Sequence, residues 1–166
     1  MTNLMLFTDA SVDCKSRVGY GAYLMVSDAT LELTVLKEKI ILRHFENTSS
    51  TTLELQTLLC ALDDIAVVNY QTDMTVTIYT DSQNIITLPA RRVGFEKNNY
   101  YSRNGKRLNH CELYQQFYRA TERLHCHFVK IIGHQTKHKK DHIDEMFSLV
   151  DKASRAALRE SVIQQQ

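Results

Sequence analysis

Residues 4–11 read LMLFTDAS, a strand-like run in which Asp9 is the one charged residue. Burying a lone carboxylate is unfavourable unless hydrogen bonds or a cation compensate for its lost hydration. Residues 74–81 read MTVTIYTD and also end in Thr-Asp, at Asp81. Two strands that bring their acids to the same end of a sheet predict a shared ligand. For like charges a few ångströms apart, a divalent cation is the usual partner.

The periodicity around these runs predicts a mixed α/β fold. Alternating apolar residues predict strands at 3–11, 20–26 and 31–42, and their short connections predict an antiparallel meander. The pattern then becomes helical after Ser49, which predicts a crossover helix and a strand at 74–80 parallel to the first. The remaining predictions are a helix from Ser82 to Pro89 or a little past it, a basic loop at 94–109, a helix at 112–124, a strand at 127–132 and a terminal helix from 141 to about 163. The result is a mixed five-stranded sheet, three antiparallel strands and then two parallel ones, flanked by helices.

Composition narrows the class of protein. A chain of 166 residues with 43% apolar residues predicts a single domain over 1–166 with a substantial core. No signal-peptide pattern or membrane-spanning run is present in the sequence, and the four cysteines form no C-x-x-C pair. We therefore expect a cytoplasmic protein with reduced thiols that does not enter a membrane.

The net charge of +1 conceals a basic segment. Between Arg91 and Arg107 there are six Lys or Arg residues and one acid, Glu96, and a second basic run spans 137–140. Such segments are typical of a protein that approaches a polyanion. Solvated surface loops explain the same charges equally well.

Two further acids lie on predicted helices, where the spacing of the apolar residues places them at the edge of the side that faces the sheet. Glu54 lies in the first turn of the crossover helix, and Asp151 borders the apolar face of the terminal helix. Each acid has a simpler explanation alone, such as a helix cap or an exposed surface charge. Together with Asp9 and Asp81, they predict a cluster of four carboxylates.

Six short motifs occur in order along the chain: FTDAS at 7–11, GYGA at 19–22, LEL at 53–55, TDSQ at 80–83, GH at 133–134 and DKASRAA at 151–157. In these motifs the sequence resembles the type 1 ribonucleases H, within the ribonuclease H-like superfamily. The resemblance implies a nuclease that hydrolyses the RNA strand of RNA/DNA hybrids with Mg²⁺ and leaves 5′-phosphate and 3′-hydroxyl ends. Its partner would then be nucleic acid, and we expect a monomer.

The resemblance also implies roles for individual residues. Asp9 would bridge two Mg²⁺ ions, with Glu54 and Asp81 completing one site and Asp151 the other. His134 would assist proton transfer or product release. The chemistry of the side chains is consistent with this, because Mg²⁺ prefers carboxylate oxygens, and Mn²⁺ is a possible substitute.

Substrate contacts are where the sequence departs from the family. Ser50 and Thr51 stand where the family often has an Asn/Asn or Asn/Gln pair, whereas Gln83 matches a substrate-contacting position. Asn109, or the neighbouring His110, falls near a position that holds a DNA-strand phosphate. The long basic helix that many members use to grip the hybrid is not evident, and the basic segment 91–107 is a candidate replacement. Its Tyr100 and Tyr101 are available for stacking or for packing the loop.

Two alternatives concern the ligands. Asp144 is a rival fourth acid because it stands nearer to His134 in sequence, but Asp151 continues the family pattern and Asp144 does not. A zinc site is the second alternative, because His134, His138 and His142 recur at helical spacing.

Other functions remain open at this point. The same fold class includes junction resolvases and exonucleases, since a fold alone does not fix a substrate. A non-catalytic module that binds hybrids or RNA is a third reading, although such a module would be expected to have lost one of the four acids.

Overall fold

The computed structural model describes residues 2–68, 73–132 and 141–164. Within these ranges, ten elements follow one another in chain order: β1 Thr2–Asp13, β2 Val18–Val26, α1 Leu33–Glu38, β3 Ile41–Phe45, α2 Ser50–Val68, β4 Met74–Thr80, α3 Gln83–Lys97, α4 Cys111–Arg123, β5 His125–Lys130 and α5 His142–Gln164. Within the described ranges, no helix is both long and apolar enough to span a membrane.

The five strands form one sheet in the order β3-β2-β1-β4-β5. The β1–β2 and β2–β3 pairs are antiparallel, whereas β4 runs parallel to both β1 and β5. This confirms the predicted mixed sheet, because α2 is the crossover that returns the chain parallel to β1.

The third strand was predicted over too long a range. Residues 33–38 form α1, and β3 is limited to Ile41–Phe45. Leu36 is fully buried, with Leu33 and Ile40 packed beside it in the same cluster. Leu33 and Leu36 are three residues apart, which is helical spacing, and Ile40 follows just after the helix ends. Burial of that face against α5 therefore outweighed the alternation that suggested a strand.

The helix after Asp81 is longer than the sequence predicted. Pro89 lies inside α3, which continues to Lys97, so the basic loop is limited to residues 98–110. Proline removes one backbone hydrogen bond from a helix interior. The helix is anchored beside the proline, because Leu88 is buried and its carbonyl accepts a 2.8 Å hydrogen bond from the Tyr118 hydroxyl.

Alternation along β1 creates two core layers. Leu6 belongs to the cluster packed by α2 and α4, whereas Phe7 belongs to the cluster packed by α1 and α5. Successive side chains of a strand point to opposite faces, so a single strand serves both layers. All four cysteines are free thiols, as expected, and Cys111 is buried in the first layer.

Close approach of α2 to the sheet fixes the position of its first turns. A Cβ atom at Gly21 would stand 2.0 Å from Thr57 Oγ1, and one at Gly19 would stand 2.4 Å from a Leu53 methyl carbon. Contacts this short mean that any side chain at these two positions would force the neighbouring α2 side chains, or at Gly19 the β1 backbone, to shift. The glycines of the GYGA motif thus let α2 lie directly on β2, with Glu54 on the adjacent turn.

Candidate active site

The register of β1 and β4 brings two of the candidate acids together. Phe7 pairs with Tyr79 in this parallel ladder, and their rings stack with centroids 4.7 Å apart. Asp9 and Asp81 stand two residues further along their chains. Since residues i and i+2 of a strand point to the same face, Asp9 follows Phe7 on the face covered by α5, and Asp81 lies one residue past the end of β4.

Asp9 has an unusual electrostatic environment. Its pKa is raised from 3.8 to about 8, first because burial removes hydration and then because the Asp81 and Asp151 carboxylates lie nearby. Hydrogen bonds from the Ala10 backbone and the Ser154 hydroxyl oppose this rise. A carboxyl in such surroundings favours either a proton or a cation beside it.

Glu54 approaches the same place from α2. Ser82 donates a 2.5 Å hydrogen bond to Glu54 Oε2, and its hydroxyl also accepts the Ile85 N–H as the N-cap of α3. Burial raises the pKa of Glu54, the Ser82 hydrogen bond lowers it and the Asp81 charge raises it again. Ser82 therefore links the start of α3 to an acid on another helix.

Asp151 reaches the centre from α5. Its carbonyl lies 3.2 Å from the hydroxyl of the fully buried Ser154, which donates its hydrogen bond to Asp9 Oδ2, also at 3.2 Å. The Asp151 carboxylate forms an ion pair with Arg155, one turn further along α5. That pair raises the pKa of Arg155, and the Asp9 charge raises it further. A guanidinium thus stands beside the two acids.

The structure separates Asp144 from this group. Asp144 Oδ2 accepts the Asp141 backbone N–H at 3.2 Å, and the Asp144 N–H donates to Asp141 Oδ1 at 2.8 Å. This reciprocal arrangement is a capping box at the start of α5. Asp144 is also not among the charges that raise the pKa of Asp9. We therefore use the term acidic centre for Asp9, Glu54, Asp81 and Asp151.

The substrate-contact candidates fall into two groups. Ser50 and Thr51 are exposed in the first turn of α2, one turn before Glu54, and Gln83 is exposed in the first turn of α3. The Gln83 amide oxygen accepts a hydrogen bond from Lys130, at the end of β5. Asn109 instead lies just before α4 and lines a separate cavity of about 280 Å³.

The predicted loop histidine, His134, lies outside the described residues, as does His138 of the proposed zinc site. His142 is described, and its ring nitrogens contact the Ala29 carbonyl at 2.8 Å and the Glu145 carboxylate at 3.5 Å. The zinc alternative therefore stays untested.

The donor set fits a hard cation. Carboxylate oxygens dominate the acidic centre, and both the burial of Asp9 and the charges of Asp81 and Asp151, which together raise its pKa, favour a cation beside it. Across residues 2–68, 73–132 and 141–164, however, no three His, Cys, Asp or Glu side chains are already arranged as a closed metal cage. Instead, the acids contact other side chains: Ser82 and Ser154 donate hydrogen bonds to Glu54 and Asp9, and Arg155 forms an ion pair with Asp151.

Comparison with known proteins decides the family. The sequence model for RNase H matches residues 1–154, which is most of the chain. The chain belongs to the RNase H family. This confirms the resemblance read from the motifs, and it makes this RNase H an enzyme of the ribonuclease H class. No curated protein sequence matches the chain.

Solved structures share the fold at low sequence identity. LC11-RNase H1, isolated from compost by a metagenomic approach, is 17% identical with a TM-score of 0.62, and the match covers 95% of this chain and 99% of that one. LC9-RNase H1, described as a type 1 RNase H with the type 2 active-site motif, is 15% identical with a TM-score of 0.66 over 94% and 72% of the two chains. The RNase H domain of prototype foamy virus is 15% identical with a TM-score of 0.67 over 93% and 92%. LC11-RNase H1 has also been solved in complex with an RNA/DNA hybrid.

Four residues of the site were not predicted, namely Ser82, Lys130, Ser154 and Arg155. The last two stand three and four positions after Asp151, a spacing that places residues on one helix face. From the sequence, Ser82 was named only as the start of a predicted helix and as a member of the TDSQ motif. Lys130 gave no signal in the sequence, because its place opposite Thr80 depends on the β4–β5 register.

Proposed function

We propose that this RNase H is an endoribonuclease that hydrolyses the RNA strand of RNA/DNA hybrids in the presence of two Mg²⁺ ions. The observation that supports this most strongly is the placement of Asp9 close to both Asp81 and Asp151, within a chain of this family. LC11-RNase H1, whose complex with a hybrid is known, has the same fold.

The carboxylates of Asp9, Glu54, Asp81 and Asp151 would hold the ions. When bound, the ions supply a nucleophilic water and stabilise the leaving 3′ oxygen of an in-line displacement, which leaves 5′-phosphate and 3′-hydroxyl ends. Mn²⁺ has the same preference for oxygen ligands and would replace Mg²⁺.

The protein's own contribution is to position the carboxylates. Ser154 orients Asp9 from α5, and Ser82 orients Glu54 from the start of α3. Side chains fixed by such contacts need little rearrangement when the substrate arrives. His134 is proposed to assist proton transfer or product release.

Recognition of the RNA strand would use polar groups beside the centre. The exposed hydroxyls of Ser50 and Thr51 and the amide of Gln83 can hydrogen-bond with 2′-hydroxyls in the wide minor groove of an A-like hybrid. Lys130 holds the Gln83 amide and adds a positive charge at the same edge. Asn109 is proposed to contact a DNA-strand phosphate further away.

We further propose that the enzyme acts as a monomer, that residues 1–166 form one domain and that it works in the cytoplasm. The four free thiols support a reducing compartment.

The direct test is cleavage of a labelled RNA/DNA hybrid with Mg²⁺ by wild type and by Asp9→Asn. Asp73→Asn is a matched control, because Asp73 is exposed just before β4, about 25 Å from Asp81 at roughly 3.3 Å per residue. We expect cleavage of the RNA strand by wild type and Asp73→Asn, and at least a hundredfold loss in Asp9→Asn.

Other outcomes point to the other functions considered. Tight hybrid binding without cleavage by wild type would identify a non-catalytic binding module. Cleavage of duplex DNA but not of the hybrid would identify a resolvase or a DNA exonuclease of the same fold.

A further inference from the structure

A second concave site lies on α3, away from the acidic centre. A cavity of about 720 Å³ opens between the second half of α3 and the loop at 98–108. Its walls include Arg91, Phe95, Asn98, Tyr101, Arg103 and Leu108, and none of the described residues that line it is an acid. Its volume is within the roughly 300–1,000 Å³ that is usual for ligand pockets in proteins. The composition of the walls indicates an anionic ligand with a flat apolar part.

Arg91 is held in place on the cavity wall. Its guanidinium carbon lies 4.7 Å from the Phe95 ring centroid and 5.7 Å from that of Tyr114. One guanidinium nitrogen also donates a 3.0 Å hydrogen bond to Asn84 Oδ1. An arginine fixed in this way loses little further freedom when it binds an anion.

The positive charges of the cavity are not neutralised by acids. The next residue, Arg92, forms ion pairs with Glu96 and Glu122, both at 2.7 Å. In the part of the chain that the structure describes, neither Arg91 nor Arg103 forms an ion pair. Arg92 therefore has a structural partner, whereas the two cavity arginines have charge to offer a ligand.

The two adjacent tyrosines have different roles. Tyr100 is buried, its N–H donates to the Phe95 carbonyl at 2.8 Å, and its carbonyl accepts the Leu108 N–H at 2.9 Å. Tyr101 is 47% exposed and pairs with Arg107 in a short antiparallel bridge. Tyr100 thus anchors the loop, and its neighbour presents an aromatic ring at the cavity.

We propose that this cavity binds one unpaired nucleotide of a strand that continues beyond the hybrid. Its base would stack on Tyr101, with Phe95 and Leu108 as apolar walls, and its phosphate would be bound by Arg91 and Arg103. Stacking on an aromatic ring needs a free base face, which a paired nucleotide inside a duplex does not offer. The identity of the strand rests on the proposed function.

The geometry of α3 sets the position of this nucleotide. The helix begins at Gln83, two residues after Asp81. The cavity is lined by residues in the range 90–98, in the second half of this helix and just past its C-terminal end. At about 1.5 Å per residue these lie roughly 10–22 Å along the helix. At about 3.4 Å per nucleotide step, that distance corresponds to roughly three to six nucleotides. The unpaired nucleotide would therefore lie three to six steps from the scissile phosphate.

The test measures binding of two hybrids that differ only in a six-nucleotide single-stranded extension. A 2-aminopurine in the extension reports stacking, and the full chain carries Asp9→Asn so that the hybrid stays intact. We expect the extension to tighten binding roughly five- to fiftyfold and to quench the fluorescence. Tyr101→Phe should keep this preference, and Tyr101→Ser should abolish it.

Arg103→Gln should weaken binding of the hybrid with the extension more than binding of the hybrid without it. Arg159→Gln, an equal charge change at an exposed position of α5, should weaken both equally. An unchanged preference in Tyr101→Ser, or equal effects of the two arginine changes, would overturn the subsite. Because the readout is binding and quenching, it is independent of cleavage. Loss of cleavage by wild type on both hybrids would instead count against the proposed function.

Discussion

The hydroxyl of Ser154 donates a hydrogen bond to Asp9 Oδ2 at 3.2 Å and lies 3.0 Å from the hydroxyl of Ser11. This contact joins the last helix to the first strand, across almost the whole length of the chain. Ser154 is fully buried and stands one turn after Asp151. The residue that positions α5 against β1 is thus the one that holds the central carboxylate.

The raised pKa of Asp9 predicts how stability depends on pH when divalent ions are removed with EDTA. Between 3.8 and about 8 the folded protein binds more protons than the unfolded chain. Its free energy of unfolding therefore falls as pH rises through that window. At pH 8 we expect Asp9→Asn to be more stable than wild type, by on the order of 1–3 kcal/mol.

Thermal unfolding at pH 4 and pH 8 measures this difference. The two proteins should have similar Tm values at pH 4, and Asp73→Asn should follow wild type at both values. Added Mg²⁺ should raise the Tm of wild type and leave that of Asp9→Asn nearly unchanged. If Asp9→Asn is less stable than wild type at pH 8, then the ionised Asp9 carboxylate does not destabilise the folded protein, which would contradict this prediction.

Asp151 and Asp144 should behave differently when each is changed to asparagine. Asp151→Asn removes a charge of the acidic centre, and we expect at least a hundredfold loss of turnover. Asp144→Asn disturbs only the capping box with Asp141, so turnover should fall less than threefold and stability by about 1 kcal/mol or less. Single-turnover cleavage and denaturant unfolding measure both effects. If Asp144→Asn lost turnover and Asp151→Asn kept it, Asp144 would be the fourth ligand.

Arg155 should weaken cation binding by the acidic centre. Its guanidinium is paired with the Asp151 carboxylate, so a divalent ion must compete with it. We expect Arg155→Gln to tighten Mn²⁺ binding by on the order of two- to tenfold, since the pair is partly exposed and screened. Isothermal titration with Mn²⁺ measures this, and Arg159→Gln, one turn further along α5, is the control. Equal affinities of the two variants would exclude a specific role for Arg155.

Gly21 should tolerate no side chain. A Cβ there would overlap Thr57, which is fully buried and whose hydroxyl donates a 2.7 Å hydrogen bond to the Leu53 carbonyl. We expect Gly21→Ala to lower the free energy of unfolding by about 1–3 kcal/mol.

Gly94→Ala is the matched control for this change. Gly94 lies inside α3, and apart from its chain neighbours and its own helix backbone no atom of the described residues comes within 4 Å of an added Cβ. Alanine there should raise the free energy of unfolding by about 0.5–1 kcal/mol, because it favours the helix. Equal stability effects of the two alanines would mean that α2 does not lie directly on β2.

The sequence predicted the sheet because each strand carries its own local pattern. Parallel pairing of β1 and β4 followed from the helix between them, and the Thr-Asp ends then placed Asp9 beside Asp81. The errors occurred where tertiary contacts decide. Leu33 and Leu36 fit a strand or a helix, and packing against α5 selects the helix. Pro89 usually marks a helix end, but it is tolerated where Leu88 is anchored in the core.

The same limit applies to the candidate site. The four acids could be named because each stands at a recognisable point of an element. The ion pair of Arg155 and the contact from Lys130 to Gln83 could not, since both depend on side-chain directions that only the folded chain defines. Tyr100 and Tyr101 were equivalent in sequence, and the loop geometry separates an anchor from an exposed ring.

The most direct test of the central claim is anomalous diffraction from a crystal of the full chain soaked in Mn²⁺. We expect at least one manganese peak within about 2.5 Å of an Asp9 carboxylate oxygen, with Asp81 or Asp151 as a second ligand. A peak held by histidines elsewhere, or no peak at Asp9 at saturating Mn²⁺, would contradict a cation-binding acidic centre.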